Sequence, residues 1–435
     1  MRIFKIENDL NSDLKAILPE QIFDVLQKNN SLDLKISKDV ESIISMVRSD
    51  GDDAILQLSN QFDKANFSSS EDFLVTEREF LEAEKLISSE LIDSFKISAQ
   101  RIRFYHQKQM PADFNFVDEL GFELGNRWQA IQKLGVYVPG GSASYPSSVL
   151  MSVIPAQVAG VEEIIVCVPT NNSKINPAVL YACKFCGIDK VYKIGGAQAI
   201  SALAFGTKKI PKVDKIVGPG NSYVALAKKQ LYGEVGIDMI AGPTDLTIVA
   251  DGNPNPTWLA IDALSQLEHG EDSKAFFIVD NFDFAKKIND EISKLKQQLN
   301  RKNIIEKSLT NSAIFVINNI SQAHFLVNFI APEHLQIITL EPEKILAKIK
   351  NSGAIFVGQY CPEAIGDYVA GPSHTLPTSG TSRFASGLSV YDFLKRQSLI
   401  KCDKNSFLQL ANSASLMAEA EGLTAHQLSI DIRKL

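Results

Sequence analysis

Val191-Tyr192-Lys193-Ile194-Gly195-Gly196-Ala197-Gln198-Ala199 is the stretch that decides the fold. A β-rich run meets two glycines and passes into small helix-forming residues, the pattern of a strand, a tight turn and a helix. The same succession flanks it on both sides. Residues 164–168 (Ile-Ile-Val-Cys-Val) come before, and residues 215–217 lead into Gly218-Pro219-Gly220-Asn221-Ser222-Tyr223. Strands alternating with helices imply βαβ units and a parallel sheet. A second series of β-rich runs follows at 246–249, 276–279, 314–317 and 355–357. Two such series predict two α/β domains.

Outward from these series the text changes. The first 130 residues or so read as mostly helical. Residues 77–109 carry Phe80, Leu81, Leu86, Ile87, Leu91, Ile92 and Phe95 at helical spacing, with no Gly or Pro until Pro111. After about Thr381 the strand pattern stops. Residues 388–435 read as helical, interrupted at Glu421-Gly422-Leu423-Thr424. Gly422 suits a helix C-terminus and Thr424 the N-cap of the next helix. A helical tail after two complete α/β units has little core of its own, so it packs on its own body or on a partner subunit.

A chain of 435 residues exceeds what one hydrophobic core usually supports, in agreement with two or more domains. A formal net charge of −7 argues against nucleic acid or an anionic membrane as partner. No window approaches the roughly 18 apolar residues of a membrane span, and the N-terminus has no apolar run suited to a signal peptide. A cytoplasmic protein is expected. Five cysteines make no disulfide framework. Cys183 and Cys186 form an isolated C-x-x-C in a helical context, read as buried core thiols.

Of six histidines, His269, His334, His374 and His426 each sit in a small, polar, Gly- or Pro-punctuated context. Leu264-Ser265-Gln266-Leu267-Glu268-His269-Gly270 closes a helix, and Gln266 and His269, three apart, share one face. Imidazole is the commonest zinc ligand, and a Gln amide oxygen is a weaker one. Asp367, in Ile365-Gly366-Asp367-Tyr368, can add a carboxylate, and His426 would complete two nitrogen and two oxygen ligands. Ala331-Pro332-Glu333-His334 sets an acid beside an imidazole. Pro332 there reads as a helix start, where adjacent side chains diverge by about 100°. Glu333 and His334 would then address two parts of a substrate. His334 is the natural base for an alcohol proton, and Glu333 could polarise a water.

Gly218-Pro219-Gly220-Asn221-Ser222-Tyr223 begins like a dinucleotide fingerprint, but Pro219 and Tyr223 break the usual pattern. It still follows a strand and opens a helix, where an anion can sit on free N–H groups. Val138-Pro139-Gly140-Gly141 and Gly195-Gly196-Ala197-Gln198-Ala199 are two more glycine turns at strand–helix boundaries. Three turns at the ends of parallel strands are what a nucleotide crevice at a switch point needs.

Together these segments resemble the histidinol dehydrogenase family. The motifs are Gly135-Val136-Tyr137-Val138-Pro139-Gly140-Gly141-Ser142, residues 195–199, 218–221 and 264–270, Ala331 to His334, Gly366-Asp367-Tyr368, and Glu421-Gly422-Leu423-Thr424-Ala425-His426. The resemblance implies zinc ligands at Gln266, His269, Asp367 and His426, with Glu333 and His334 as the acid–base pair. It further implies substrate contacts at Thr244, His374 and Glu421 besides those six residues, and NAD contacts at Tyr137, Gln198 and Asn221. One departure stands out: this chain has Gly242-Pro243-Thr244-Asp245 where the family usually has Gly-Pro-Ser-Glu. A Thr keeps the hydroxyl and adds a methyl.

The implied reaction is oxidation of L-histidinol to L-histidine with two NAD+, through histidinal, in an intertwined homodimer with shared sites. The fold class is α/β, with two Rossmann-like parallel-sheet domains, a helical N-terminal arm and a helical C-terminal tail. The arm is expected over 1–30. One α/β domain, from 31–133 and 236–380, would carry most zinc ligands and the catalytic pair. The other, 134–235, would bind NAD, and the tail 381–435 would reach the partner subunit. Competing readings are a thiol mechanism on Cys361, whose neighbour Glu363 gives the wrong charge, a zinc hydrolase using Glu333 as base, and a catalytically inactive binding protein.

Overall fold

The computed structural model describes residues 1–27, 34–140, 145–170 and 174–435, so Gly141 and Ser142 of the first glycine turn lie outside the described residues. In chain order its strands are β1 (Arg2–Ile6), β2 (Phe114–Val117), β3 (Glu123–Ala130), β4 (Lys133–Tyr137), β5 (Glu163–Cys167), β6 (Val191–Tyr192), β7 (Lys215–Val217), β8 (Gly236–Ile237), β9 (Asp245–Ala250), β10 (Lys274–Val279), β11 (Ala313–Ile317), β12 (His334–Ile338), β13 (Ala354–Val357) and β14 (Leu394–Lys401).

Two parallel sheets result. The five-stranded sheet runs β6-β5-β4-β7-β8, and the six-stranded sheet runs β1-β11-β10-β9-β12-β13. Strands β9, β11 and β12 are buried along their whole length, as parallel strands covered by helices on both faces must be. A small antiparallel sheet, β14-β3-β2, stands apart from both.

Three parts of the sequence reading are corrected by this architecture. The N-terminal arm is not wholly helical: β1 pairs in parallel with the edge strand β11, Arg2 opposite Ala313. Five residues with mixed polarity carry little period-2 signal; an open sheet edge supplies the hydrogen bonds that make them a strand. The C-terminal region is not wholly helical either. β14 pairs with β3 over eight residues, Leu394 opposite Ala130 through Lys401 opposite Glu123, although most of its side chains are polar and exposed. Finally, among the described residues, the helices between 34 and 109 share their buried cores with the five-stranded sheet. Val40, Ile43 and Val47 of helix Leu34–Asp50 share a core with Ile165, Ile194 and Leu203. Phe95, Ala99 and Ile102 of helix Ser89–Gln109 share one with Val136, Val149 and Ile154. An amphipathic stripe says that a helix has a buried face; it does not say which sheet that face covers.

Residues 77–109 form two helices, Glu77–Glu84 and Ser89–Gln109, because Ser88 accepts from the Leu91 N–H at 3.3 Å and starts the second one. In the tail, helix Lys404–Ala420 ends as expected. Gly422, at φ +70°, donates to the Glu419 carbonyl at 2.9 Å while Leu423 donates to Ala418 at 2.9 Å, a left-handed glycine closure. Thr424 is the first residue of helix Thr424–Asp431 and Leu423 its N-cap, with no side-chain capping bond, contrary to the expected Thr424 cap. That last helix buries none of its residues. Among the described residues, no helix is long and apolar enough to cross a membrane.

Candidate active site

The glycine turns converge. A cavity of about 820 Å³ opens at the carboxyl ends of β4 to β7 and is lined by Tyr137, Gly140, Pro169, Gly196, Gln198 and Asn221 among others. It sits where the strand order reverses between β4 and β7, the switch point of a doubly wound sheet. Gly218 makes the close approach possible. At φ +111°, a Cβ there would stand 2.0 Å from the Tyr137 carbonyl oxygen, so only glycine fits. The turn is tied by a buried pair: Asp238 accepts from the Gly218 N–H at 2.8 Å, Lys228 donates to the Gly218 carbonyl at 3.0 Å, and the two side chains touch.

All three residues expected to meet a dinucleotide line this cavity. The Tyr137 hydroxyl accepts from the Gly196 N–H at 3.2 Å, and burial pushes its pKa up. Gln198 is buried and donates to Asp63 at 3.3 Å. The Asn221 side-chain oxygen caps helix Ser222–Leu231, accepting from Tyr223 and Val224, so its amide N–H groups are what it can offer a ligand.

The second centre lies at the amino ends of β9 and β12, where the linker from β8 enters the six-stranded sheet. Here the Ala331-Pro332-Glu333-His334 segment is not a helix start. Ala331 takes a left-handed conformation (φ +53°) that ends helix Ala323–Ile330, and His334 opens β12. Nor do the two side chains stay apart: His334 Nδ1 lies 3.8 Å from Glu333 Oε2, near but not bonded.

His334 is buried, with Nδ1 donating to the Asp245 carbonyl at 3.3 Å. That fixes the tautomer. Nε2 then carries the lone pair, and it has no hydrogen-bond partner. Burial pulls the imidazole pKa down to about 4, so the ring is neutral at physiological pH. Glu333 accepts from the Thr244 hydroxyl and from the Asp245 N–H at 3.2 Å, and Asp245 accepts from the Glu333 N–H at 3.1 Å. Burial, together with the neighbouring Asp245 carboxylate, holds the Glu333 pKa well above the usual range, and burial raises Asp245 to about 7. Thr244 is the hub: its hydroxyl donates to Glu333 and accepts from Gln266 Nε2. The hydroxyl that Thr keeps at this position therefore both donates and accepts. Gln266 itself is buried, and its Oε1 has no partner.

Asp367, on helix Glu363–Tyr368, brings a carboxylate to this centre. His334, Glu363 and Asp367 offer ligand atoms within 4.8 Å of one another. Glu363 enters the sequence reading only as a neighbour of Cys361, not as a site residue. It is buried, four residues before Asp367 on one helix face, with Oε1 at 3.9 Å from His334 Nε2. Burial and the adjacent Asp367 raise its pKa to about 9. The i, i+4 carboxylate pair Glu363 and Asp367 was the signal available in the sequence. His374 donates from Nδ1 to the Asp367 carbonyl at 3.1 Å, and its Nε2 meets the Ser148 hydroxyl at 3.1 Å. His269 is exposed, just beyond helix Pro256–Leu267; burial first, and the nearness of His269 after it, lowers the pKa of His374.

Two expected members are not brought in by this chain. Glu421 and His426 are exposed on the tail, and among the described residues no hydrogen bond or ion pair joins their side chains to the centre. Cys183 and Cys186 are buried free thiols with pKa values raised by burial, Cys186 to about 12, as inert core residues should be.

Comparison with known proteins bears on this arrangement directly. The family model of histidinol dehydrogenase matches residues 26–434. A histidinol dehydrogenase of Aquifex aeolicus is 45% identical over 431 residues, 99% of each chain. That of Gluconobacter oxydans is 44% identical over 415 residues, 95% of this chain and 96% of its own. The crystal structure of histidinol dehydrogenase from Elizabethkingia anophelis superposes with a TM-score of 0.91 at 34% identity, covering 99% of this chain and 98% of that one. On sequence, fold and extent of match, the chain is an oxidoreductase that belongs to the histidinol dehydrogenase family.

Proposed function

We propose that the chain is a zinc- and NAD-dependent histidinol dehydrogenase that converts L-histidinol to L-histidine through histidinal, consuming two NAD+. The observation that carries this reading is a pair of buried atoms without partners, Gln266 Oε1 on the Thr244 network and His334 Nε2 beside the Asp367 and Glu363 carboxylates. Orphaned buried polar atoms cost about 1–3 kcal/mol each, and a ligand that satisfies them removes that cost. The proposed donor set, one amide oxygen, two imidazoles other than His334 and one carboxylate, fits zinc.

In this reading Gln266, His269 and Asp367 hold the metal together with His426 of the partner subunit. Zinc supplies Lewis acidity and a fixed positive charge to hold the substrate's nitrogens. The exposed tail, with a final helix that buries nothing, supports a homodimer in which the tail completes a neighbour's site together with Glu421 of the partner subunit. Thr244 and His374 border the substrate. The cavity lined by Tyr137, Gln198 and Asn221 takes NAD, with the substrate between the two sheets.

His334 Nε2 takes the hydroxyl proton as the carbinol carbon gives its hydride to NAD+, yielding histidinal, NADH and a proton. Glu333 is set for water. Held by the Thr244 hydroxyl and the Asp245 N–H, its carboxyl group is positioned to assist the water that hydrates the aldehyde. His334 acts again when the hydrate gives the second hydride. Chelation tests the metal: it should abolish histidinol oxidation, zinc should restore it, and the melting curve should stay cooperative, because the ligands come from separated segments of an already packed body. Activity untouched by chelator would contradict the reading, as would a chelator that unfolds the whole chain.

A further inference from the structure

Helix Glu363–Tyr368 carries Asp367 in its last turn, and the chain then runs seven residues to His374. The last carbonyls of a helix have no partners within it. Here those partners come from the other half of the molecule. Ser98, buried on helix Ser89–Gln109, donates to the Tyr368 carbonyl at 2.5 Å. Arg101, one turn further on, donates from Nε to the Val369 carbonyl at 2.6 Å and from Nη2 to Ala370 at 3.0 Å. Its charge also lies at the negative end of the helix.

The contact is close along its length. Gly371, at φ +119°, presses on the same helix, and a Cβ there would meet the Arg101 carbonyl oxygen at 3.1 Å and Tyr105 Cβ at 3.3 Å. The next helix, Pro146–Ala159, grips the far end. Ser373 donates to the Met151 carbonyl at 3.4 Å, and the buried Ser148 hydroxyl meets His374 Nε2 at 3.1 Å. Since His374 Nδ1 donates to the Asp367 carbonyl, Nε2 is the acceptor and Ser148 the donor. Ser98, Arg101, Ser148 and Met151 all belong to helices Ser89–Gln109 and Pro146–Ala159, whose cores are shared with the five-stranded sheet.

We infer that Arg101, with Ser98 and Ser148, is a positioning group that sets Asp367 and His374 from the nucleotide-binding half of the molecule; the inference rests on the metal and substrate roles proposed above. Asp367 is thus fixed from both sides, by the six-stranded sheet through Glu363 and by the five-stranded sheet through Arg101. The two halves are joined at the residues that face the substrate.

Hydrogen exchange of the metal-free protein tests the grip itself, and kinetics test its purpose. In Arg101→Ala, amides over 367–374 should exchange on the order of tenfold faster while the rest of the chain keeps its protection. The KM for histidinol should rise on the order of tenfold, as for loss of an outer partner of a ligand. The KM for NAD should stay within about twofold. Arg101→Lys, which keeps the charge and one bond, should recover part of both effects, and Ser148→Ala should raise the histidinol KM with an unchanged melting temperature. Exchange and histidinol KM equal to wild type in Arg101→Ala would overturn the inference. So would a uniform rise in exchange with both KM values worsened, which marks a merely structural residue. If wild type binds no zinc and oxidises no histidinol, the functional reading fails, while the exchange result still decides whether Arg101 holds the segment.

Discussion

Replacing Thr244 by Val keeps the shape of the side chain and removes only its hydroxyl. That hydroxyl donates to Glu333 and accepts from Gln266, and both partners are buried, 6% and 1% exposed. Without it, one Glu333 oxygen loses a donor and the Gln266 amide loses an acceptor. Each buried group left unpaired costs about 1–3 kcal/mol, so the pair costs about 2–6. Glu333 retains the Asp245 N–H at 3.2 Å, which places the result toward the lower end. In an unfolding unit of roughly 200 residues, 2 kcal/mol lowers the melting temperature by at least about 4 °C. Thr244→Ser is the control: it keeps the hydroxyl and loses one methyl, about 0.8 kcal/mol at full burial. Calorimetry of the three proteins reads the difference, and histidinol kcat/KM should fall further in the Val variant than in the Ser variant because Glu333 and Gln266 lose their shared anchor. A Val variant that melts with wild type, or with the Ser variant, would show that the hydroxyl does not hold this network.

The remaining predictions concern roles and linkage. His334→Asn should lower turnover on the order of 10²–10⁴-fold with zinc content unchanged, whereas His269→Ala should lose zinc; metal loss in both would show the two roles wrongly divided. In the metal-free protein His334 also makes stability depend on pH. Its folded pKa of about 4 lies below the ordinary 6.5, so the unfolded chain takes the proton first as pH falls. Stability from this group is full above 6.5 and is lost between 6.5 and about 4, to the extent of about 3 kcal/mol. His334→Gln should flatten that part of the stability curve, and equal slopes in the two proteins would count against a buried neutral ring. Mixing inactive His269→Ala with inactive His426→Ala under subunit exchange should restore roughly a quarter of wild-type activity if His426 acts across an interface. No recovery, with exchange shown independently, removes the shared site.

The five-stranded sheet and its cavity were legible in the sequence because glycine turns at strand ends have few other uses. Gly218 is compelled by the Tyr137 carbonyl, and Gly422 by a left-handed helix end. What local text could not carry was context. β1 and β14 are strands because an open edge accepts them, not because their own residues alternate strongly. Pro332 looked like a helix start, yet Ala331 in a left-handed conformation turns the chain into β12 and buries His334. The switch-point rule also points to carboxyl ends of strands, while Thr244, Glu333 and His334 gather at amino ends. Glu363 was weighed only for its charge near Cys361, and its i, i+4 spacing to Asp367 was not used; the fold shows it buried, with Oε1 near His334 and Asp367 beside it.

The central claim is a two-step oxidation at one centre, and the ratio of NADH formed to histidinol consumed tests it most directly. With limiting histidinol, excess NAD+ and zinc-loaded protein, the account predicts two NADH and one histidine for each histidinol. One NADH with free histidinal accumulating, or no NADH at all, would contradict it.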